Sequence, residues 1–391
     1  MATEQQRPLL MIPGPIEYED DVLKAMSTIG TSHVAPNFIS CYSRVLKATR
    51  EVFLAPDGQP FVLAASGSLG WDLIVANTME AGEAALIVNT GYFGDSFGDV
   101  FEHLGCVVDH VRAEIGGCPS VEAVKEALGK KTYKIVAITH VDTSTGVLAP
   151  VQALAKAIRE VCPEILIAVD GVCSIAGEEL RMTEWDIDFA MTGSQKALSV
   201  PPGLSVSVAR SRALKAAENR KTPVPSYYCQ WSRWIPIMQA YEEERPSYFA
   251  TPAVQLIQAM DVALQSILAN GGIEKRFEEH LAVSKAFKAA LAALGIKLVA
   301  HDGLAANTLT AAYYPDGVDP AKFLGGVKAN GAIIAGGLHK DIKAKYFRVG
   351  HMGNVSSRSL DHVRVVVKAI EASLKECGHS FEEGVGLAAL E

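Results

Sequence analysis

Ile165-Leu166-Ile167-Ala168-Val169-Asp170-Gly171-Val172 is an almost wholly apolar run that ends in a carboxylate. A short apolar run closed by glycine reads as a strand buried on both faces. Outward from it the pattern repeats, with strand-like runs at residues 61–65, 84–89, 106–111, 135–140, 189–192 and 205–209. Helix-like stretches lie between them at residues 69–79, 96–104, 120–128 and 151–161. Strand and helix in turn predict an α/β fold with a mainly parallel sheet. Open sheets of this kind bind ligands outside the carboxyl ends of their strands. Asp170 therefore stands where a ligand would be met, although a helix cap or a structural salt bridge would use a carboxylate there too.

The rest of the chain fills out two units, as 391 residues suggest at about 150 per domain. Residues 221–251 hold four prolines and several tyrosines without clear periodicity, so an irregular, aromatic-rich excursion is expected. Pro252 then opens a helix expected to run well past Leu268. A smaller α+β unit follows, with strands at 308–313 and 346–349 and helices at 320–330 and 357–373. The expected division is an N-terminal extension at 1–20, a large domain at 21–265 and a small C-terminal domain at 266–391.

Lysine and arginine total 36 against 44 acidic residues, a net charge of −8, which gives no electrostatic reason to bind nucleic acid or anionic lipid. The seven cysteines form no C-x-x-C pair, and Cys106, Cys162 and Cys173 read as small core residues. A reducing compartment with no disulfide framework and no metal site is expected. Residues 1–10 lack the apolar core of a signal peptide and the arginine-rich character of a transit peptide, and residues 387–391 are not a peroxisomal signal. The expectation is an intracellular, cytoplasmic protein with the organelle left open.

Chemistry gathers at the strand ends. Thr192-Gly193-Ser194-Gln195-Lys196-Ala197-Leu198, before Pro201-Pro202-Gly203, sets a lysine just beyond a strand. A lysine attacks an aldehyde only as the free amine, so a nucleophilic role needs a lowered pKa, which burial there would supply; a surface loop lysine is the plain alternative. Ala65-Ser66-Gly67-Ser68-Leu69-Gly70-Trp71 is a small-residue turn before a helix, either an anion site or a helix capped by Ser68. It is neither a dinucleotide nor a triphosphate fingerprint. Phe93, in Asn89-Thr90-Gly91-Tyr92-Phe93-Gly94, either stacks on a flat ring or packs in the core. The hydroxyls of Thr139-His140-Val141-Asp142-Thr143-Ser144-Thr145-Gly146 bind a ring substituent or cap a helix. Five strand ends carrying lysine, carboxylate, hydroxyls, an aromatic and an anion turn converge on one sheet edge.

These residues resemble the fold-type-I pyridoxal-phosphate aminotransferases, and more closely the alanine–glyoxylate and serine–glyoxylate group, with wording most similar to the fungal alanine–glyoxylate enzymes. The resemblance runs from Met11-Ile12-Pro13-Gly14-Pro15 to Tyr346-Phe347-Arg348-Val349-Gly350. Its most specific pieces are Gly193-Ser194-Gln195-Lys196-Ala197, residues 140–146, Tyr248-Phe249-Ala250-Thr251-Pro252 and Gly336-Gly337-Leu338-His339-Lys340-Asp341. It implies a large, mainly parallel mixed-sheet domain and a smaller α+β domain. It implies that Lys196 holds pyridoxal 5'-phosphate, that Asp170 pairs with the ring nitrogen, that Phe93 stacks on the ring and that Thr143 reaches the ring hydroxyl. Ser68, Leu69, Gly70 and Gln195 would bind the phosphate, completed by Tyr248 and Thr251 from the second subunit of a homodimer. Arg348 would clamp the substrate carboxylate, with Gly14 and His33 lining a small pocket. Some relatives have histidine at the position of Gly70, tryptophan at that of Phe93 and glycine at that of Leu69, which weakens the expected stacking and close backbone approach.

The implied reaction is a ping-pong transfer of the amino group of alanine to glyoxylate. Serine as donor, with glyoxylate or pyruvate as acceptor, is the alternative within the group. A lyase or cysteine desulfurase of the same fold would need a reactive cysteine on a mobile loop, for which Cys41 and Cys229 are the candidates. A non-enzymatic binding protein using the same strand ends would hold an anion and stay colourless.

Overall fold

The apolar runs pair as their alternation with helices requires. A computed structural model describes residues 7–390; residues 1–6, the start of the expected extension, and Glu391 lie outside the described residues. One sheet holds seven strands: β1 (Gln59–Ala64), β2 (Ala84–Asn89), β3 (Val107–Arg112), β4 (Ile135–Thr139), β5 (Leu166–Asp170), β6 (Phe189–Gly193) and β7 (Leu204–Ala209). Their order is β1-β7-β6-β5-β4-β2-β3. All neighbours are parallel except β7, which runs antiparallel to both β1 and β6. Six carboxyl ends therefore share one edge. Register then decides what stands side by side there: Thr139 is level with Asp170, and Asp170 with Met191.

Every residue of β2, β4, β5, β6 and β7 is buried, which is why these strands read as unbroken apolar runs rather than alternating ones. The crossovers include α1 (Leu69–Thr78), α2 (Tyr92–His103) and α3 (Val151–Val161). In α3 the buried Val151, Leu154, Ala155 and Ile158 form one stripe at helical spacing. Helix α2 starts at Tyr92, four residues before the expected start at Ser96, so Phe93 sits in a first helical turn rather than a loop.

Residues 221–251 are not wholly irregular. Trp231–Glu242 is a helix, α4, with Pro236 inside it. Its buried Trp231, Trp234, Ile237, Met238 and Tyr241 recur at helical spacing, a pattern that the internal proline obscures. The ring of Trp231 stacks on Phe61 of β1 with centroids 5.6 Å apart. The single long helix expected after Pro252 is two helices. Helix α5 (Val254–Ala269) stops, and Gly271 at φ +96° and Gly272 at φ +73° turn the chain into α6 (Gly272–Ala293). Glycine enters that left-handed region without a Cβ penalty, so the pair breaks a pattern whose apolar content would otherwise continue.

A second core lies beyond. A small antiparallel sheet of β8 (Leu309–Tyr313), β9 (Ala335–Gly336) and β10 (Tyr346–Gly350) has β10 in the middle. After β10 come the short α7 (Asn354–Ser357) and then α8 (Asp361–Glu376), which begins four residues later than the expected 357. Phe287 of α6, Phe323, Phe347 and Val349 pack with Val363, Val367 and Ile370 of α8. Helix α6 belongs to both cores, with Ile273 in the first and Val283 in the second. The N-terminal segment also joins them. Leu9–Leu10 pairs parallel with Ala332–Ile333, and the Met11 carbonyl accepts from Gly350 N–H at 2.8 Å. All seven cysteines are free, and no described helix is long and apolar enough to cross a membrane.

Candidate active site

A cavity of about 160 Å³ opens at the shared carboxyl edge of the large sheet. Its walls come from the turn after β1 (Ser66–Ser68), from Trp71 and Phe93, from Val141 and Thr143 after β4, from Asp170 to Cys173 after β5, and from Gln195 and Lys196 after β6. Parallel strands make this convergence: residues far apart in sequence meet because their strands end together. A larger cleft of about 550 Å³ lies against α3 and α6 and carries Glu178, Glu179, Glu274 and Glu278 with Arg181, but none of the groups just named.

Lys196 stands in a tight turn after β6. Its N–H donates to the Gly193 carbonyl, its own carbonyl accepts from Ser199 N–H at 2.8 Å, and Ser199 takes φ +63°. The half-buried ammonium donates to the Pro13 carbonyl. Gly14 packs so close that a Cβ there would fall 2.6 Å from Lys196 Cδ and 2.8 Å from Nζ. The N-terminal segment thus packs against the amine, although Gly14 itself is not among the residues lining the cavity. Gly67 lets the β1 turn approach the end of β6, since a Cβ on it would meet the Gly193 backbone at 3.2 Å.

Asp170 is 2% exposed. Oδ1 accepts from Val172 N–H at 2.9 Å, and Oδ2 accepts from the indole Nε1 of Trp71 at 3.1 Å. Burial dominates and pushes this carboxyl up to about 7, against the opposing pull of those two donors; the neighbouring Asp142 also raises it, and Lys196 lowers it. A buried carboxylate with only neutral hydrogen-bond partners is electrostatically incomplete. A protonated aromatic nitrogen brought into the cavity would complete it. Gln195 points the same way: its Oε1 is buried and has no partner among the described residues. The donor set fits pyridoxal phosphate on these grounds.

One carboxylate ties the first turn of α2, which carries Phe93, to the turn that carries Thr143. Asp142 is fully buried, and its Oδ2 accepts from the N–H groups of Phe93 at 3.1 Å and Gly94 at 3.3 Å. Its Oδ1 accepts from Ser144 N–H and Oγ–H, while Ser144 Oγ accepts from Tyr92 N–H at 2.9 Å. Asp142 and Ser144 therefore cap the first turn of α2 from another strand end, satisfying N–H groups that Gly91 cannot reach. Gly91 has to be small, because a Cβ there would lie 2.4 Å from Ser144 Oγ. The Phe93 ring lies 6.4 Å from that of Trp71, tilted by 53°.

In the turn after β1, Ser68 has no side-chain capping bond. The N–H groups of Leu69 and Gly70 donate to the carbonyls of Ser66 and Gly67, and neither residue lines the cavity. Gly70 packs on β6, where a Cβ would lie 2.7 Å from Met191 Cβ. The turn's cavity-facing groups are those of Ser66, Gly67 and Ser68. Arg348, on β10, reaches over from the second core; its guanidinium donates to the Gly336 carbonyl at 2.8 Å and, at 3.5 Å, to the carbonyl of the cavity-lining Thr143. Burial lowers its pKa. His33, Tyr248 and Thr251 form a separate cluster. The rings of His33 and Tyr248 lie 5.0 Å apart, Tyr248 Oη is 3.3 Å from Thr251 Oγ1, and none of the three lines this cavity.

Sequence reading did not single out Trp71, Asp142 or Cys173. Trp71 stood inside the quoted turn, one helical step past its glycines, and Asp142 stood beside Thr143. Cys173 is only 4% exposed, as a core residue should be, yet its side of the chain lines the cavity by Lys196. Burial pushes its thiol up, while Lys196 opposes that shift.

The family profile described as aminotransferase class-V matches residues 16–356. The chain is 42% identical over 380 residues to alanine–glyoxylate aminotransferase 1 of Saccharomyces cerevisiae, covering 94% of this chain and 97% of that one. It is 31% identical to the serine–glyoxylate aminotransferase of Methylorubrum extorquens, covering 97% and 94% of the two chains. Among solved structures, the ureidoglycine–glyoxylate aminotransferase of Bacillus subtilis superposes with a TM-score of 0.90 at 27% identity, covering 100% of this chain and 98% of the other.

Proposed function

The chain belongs to the class-V aminotransferases, a family of pyridoxal-phosphate enzymes, and we propose that it transfers the amino group of alanine to glyoxylate, yielding pyruvate and glycine. The observation that carries this reading is the pairing, across one small cavity, of the Lys196 amine with the buried Asp170 carboxylate. Alanine is chosen as donor because the relative at 42% identity bears that name, and the close approach of Pro13 and Gly14 to the amine favours a small side chain.

Pyridoxal phosphate, when bound, supplies a ring that withdraws electrons from the substrate's α-carbon. This chain's residues do the rest. Lys196 Nζ anchors the group, then accepts the proton from the α-carbon and returns it, acting as base and acid in turn. Asp170 holds a proton on the ring nitrogen, and Trp71 keeps that carboxylate aimed. Phe93 and Thr143 set the ring's plane and edge, with Asp142 fixing the turns that carry them. Ser68 and Gln195, with the backbone after β1, take the phosphate, for which the N-terminus of α1 is electrostatically suited. Leu69 and Gly70 act there through the shape of the turn. Arg348 exchanges its carbonyl contacts for the substrate carboxylate, a bidentate task.

Tyr248, Thr251 and His33 serve the site of a second copy in this proposal. Tyr248 is 60% exposed, and exposed Ile29 and Val34 precede or follow His33 closely in sequence, as an interface requires. Sedimentation of the purified protein tests the dimer, and mixing Lys196→Ala with Tyr248→Phe subunits tests the sharing. The donor is tested by comparing kcat/KM for alanine and serine with glyoxylate as acceptor. Alanine is expected to lead by at least tenfold, and a serine preference would overturn that part of the proposal.

A further inference from the structure

Close in the fold to the Lys196 turn lies a fully buried arginine whose carboxylate contact is long. Arg276, on α6, is 2% exposed. Its Nη1 donates to Ser357 Oγ at 2.6 Å, and its Nη2 donates to the Ala197 carbonyl at 3.2 Å. The nearest carboxylate oxygen, on Glu279, is 3.6 Å away, and Nε has no partner among the described residues. Burial is unfavourable for this charge and Arg358 nearby adds to the penalty, while Glu279 and Glu19 offset part of it. Apolar packing would fill the same space at less cost, so the position calls for a reason other than stability.

The acceptor supplies it, because Ala197 directly follows Lys196. The same turn is tied to α7 a second time, through Asn354 N–H donating to Ser199 Oγ at 2.7 Å. Asn354 in turn donates to Glu19 Oε2 at 2.6 Å, and Glu19 Oε1 accepts from Arg358 at 2.5 Å. One helical turn along α6, His280 Nδ1–H donates to the Arg276 carbonyl, and its Nε2 accepts from Gly353 N–H at 3.2 Å. Gly353 lies three residues beyond the end of β10, the strand that carries Arg348. The lysine turn and the arginine strand belong to different cores, and Arg276 touches the element next to each.

We infer that Arg276 is a positioning residue that holds the Lys196 turn in register with the segment following β10, and so sets the amine against the carboxylate clamp. The inference rests on Lys196 being the reacting amine. A planar guanidinium suits the task because it donates in two directions from one rigid group. Lysine carries its three donors on one nitrogen, so it does not reproduce the two separated nitrogens that reach Ser357 and Ala197.

The test uses Arg276→Lys, Arg276→Gln and Ser357→Ala in the full-length protein, with Lys196→Ala as reference. Three quantities are measured: the rate at which added pyridoxal phosphate develops its protein-bound absorbance, the affinity for pyridoxine 5'-phosphate, which lacks the aldehyde and cannot react with lysine, and kcat against KM. Arg276→Lys and Arg276→Gln are expected to slow capture and lower kcat by about tenfold, the scale of a sub-ångström misplacement. Affinity for the unreactive analogue and KM should stay within twofold. Ser357→Ala, which cuts the link to α7 and leaves only the Ala197 contact, should lower capture and kcat in the same direction by a smaller factor, with analogue affinity unchanged. Capture and kcat within twofold of wild type in both arginine variants would overturn the inference. A parallel loss of analogue affinity would also overturn it, showing a general structural role. Should Lys196→Ala capture the cofactor as wild type does, the underlying assignment of the amine fails instead.

Discussion

Replacing Gly14 by alanine adds one methyl group at the point where the N-terminal segment meets the reacting amine. That Cβ would stand 2.6 Å from Lys196 Cδ, 2.8 Å from Nζ and 2.9 Å from Cε. Carbon atoms prefer to sit about 3.5–4.0 Å apart, so the two must separate by about 1 Å. The lysine chain is flexible and will yield, but the atom displaced is the one that moves the proton. A displacement of about 1 Å in a catalytic group costs up to ~10²-fold in rate. Gly14 also takes φ +94°, where an L-residue pays about 1–2 kcal/mol. Gly14→Ala should therefore lower kcat by about 10–100-fold and stability by about 1–2 kcal/mol. Steady-state kinetics with alanine and glyoxylate, beside thermal melts, separate the two effects. A variant that loses the expected stability yet keeps kcat within twofold would refute the steric argument at Lys196.

Asp142→Asn should weaken pyridoxal-phosphate binding by about tenfold, because the buried amide cannot accept all four hydrogen bonds that hold α2 and Ser144; titration of bound-cofactor fluorescence checks this. Asp170→Asn should lower kcat by about 10²–10³-fold with the cofactor still bound, since a neutral amide does not keep a ring nitrogen protonated; the bound spectrum and single-turnover rates are the readout. Glu178, which accepts from Asn307 and Thr308 just before β8, is held by burial at about 7 rather than 4.5. A raised acid favours the folded state at low pH, so its contribution is full below about 4.5 and is lost as pH climbs through about 7, on the order of 3 kcal/mol. Glu178→Gln should flatten that decline, its melting temperature gaining on wild type between pH 5 and 8; a pH-independent difference would refute the assignment.

Lys196 and Asp170 were legible in the sequence because each closes an apolar strand, and parallel strands bring such ends together. The support behind them was not. Asp142 reaches the Phe93 N–H across 49 residues, and Arg276 reaches Ala197 across 79, distances that no local spacing encodes. Helix α4 was hidden by Pro236, and the end of α5 by an apolar pattern that continued through to Ile273 while the glycine pair broke the backbone. The Ser68 turn was read as an anion site or a cap. In the fold the N–H groups of Leu69 and Gly70 are already spent inside the turn.

The central claim is tested most directly by a half-reaction. Cofactor-loaded protein is mixed with alanine and no acceptor, and pyruvate is counted. One pyruvate per bound cofactor, with glyoxylate then restoring the original absorbance and releasing one glycine, is the predicted result for wild type, and none is expected for Lys196→Ala. Pyruvate formation by Lys196→Ala at the wild-type rate, or none from wild type, would contradict it.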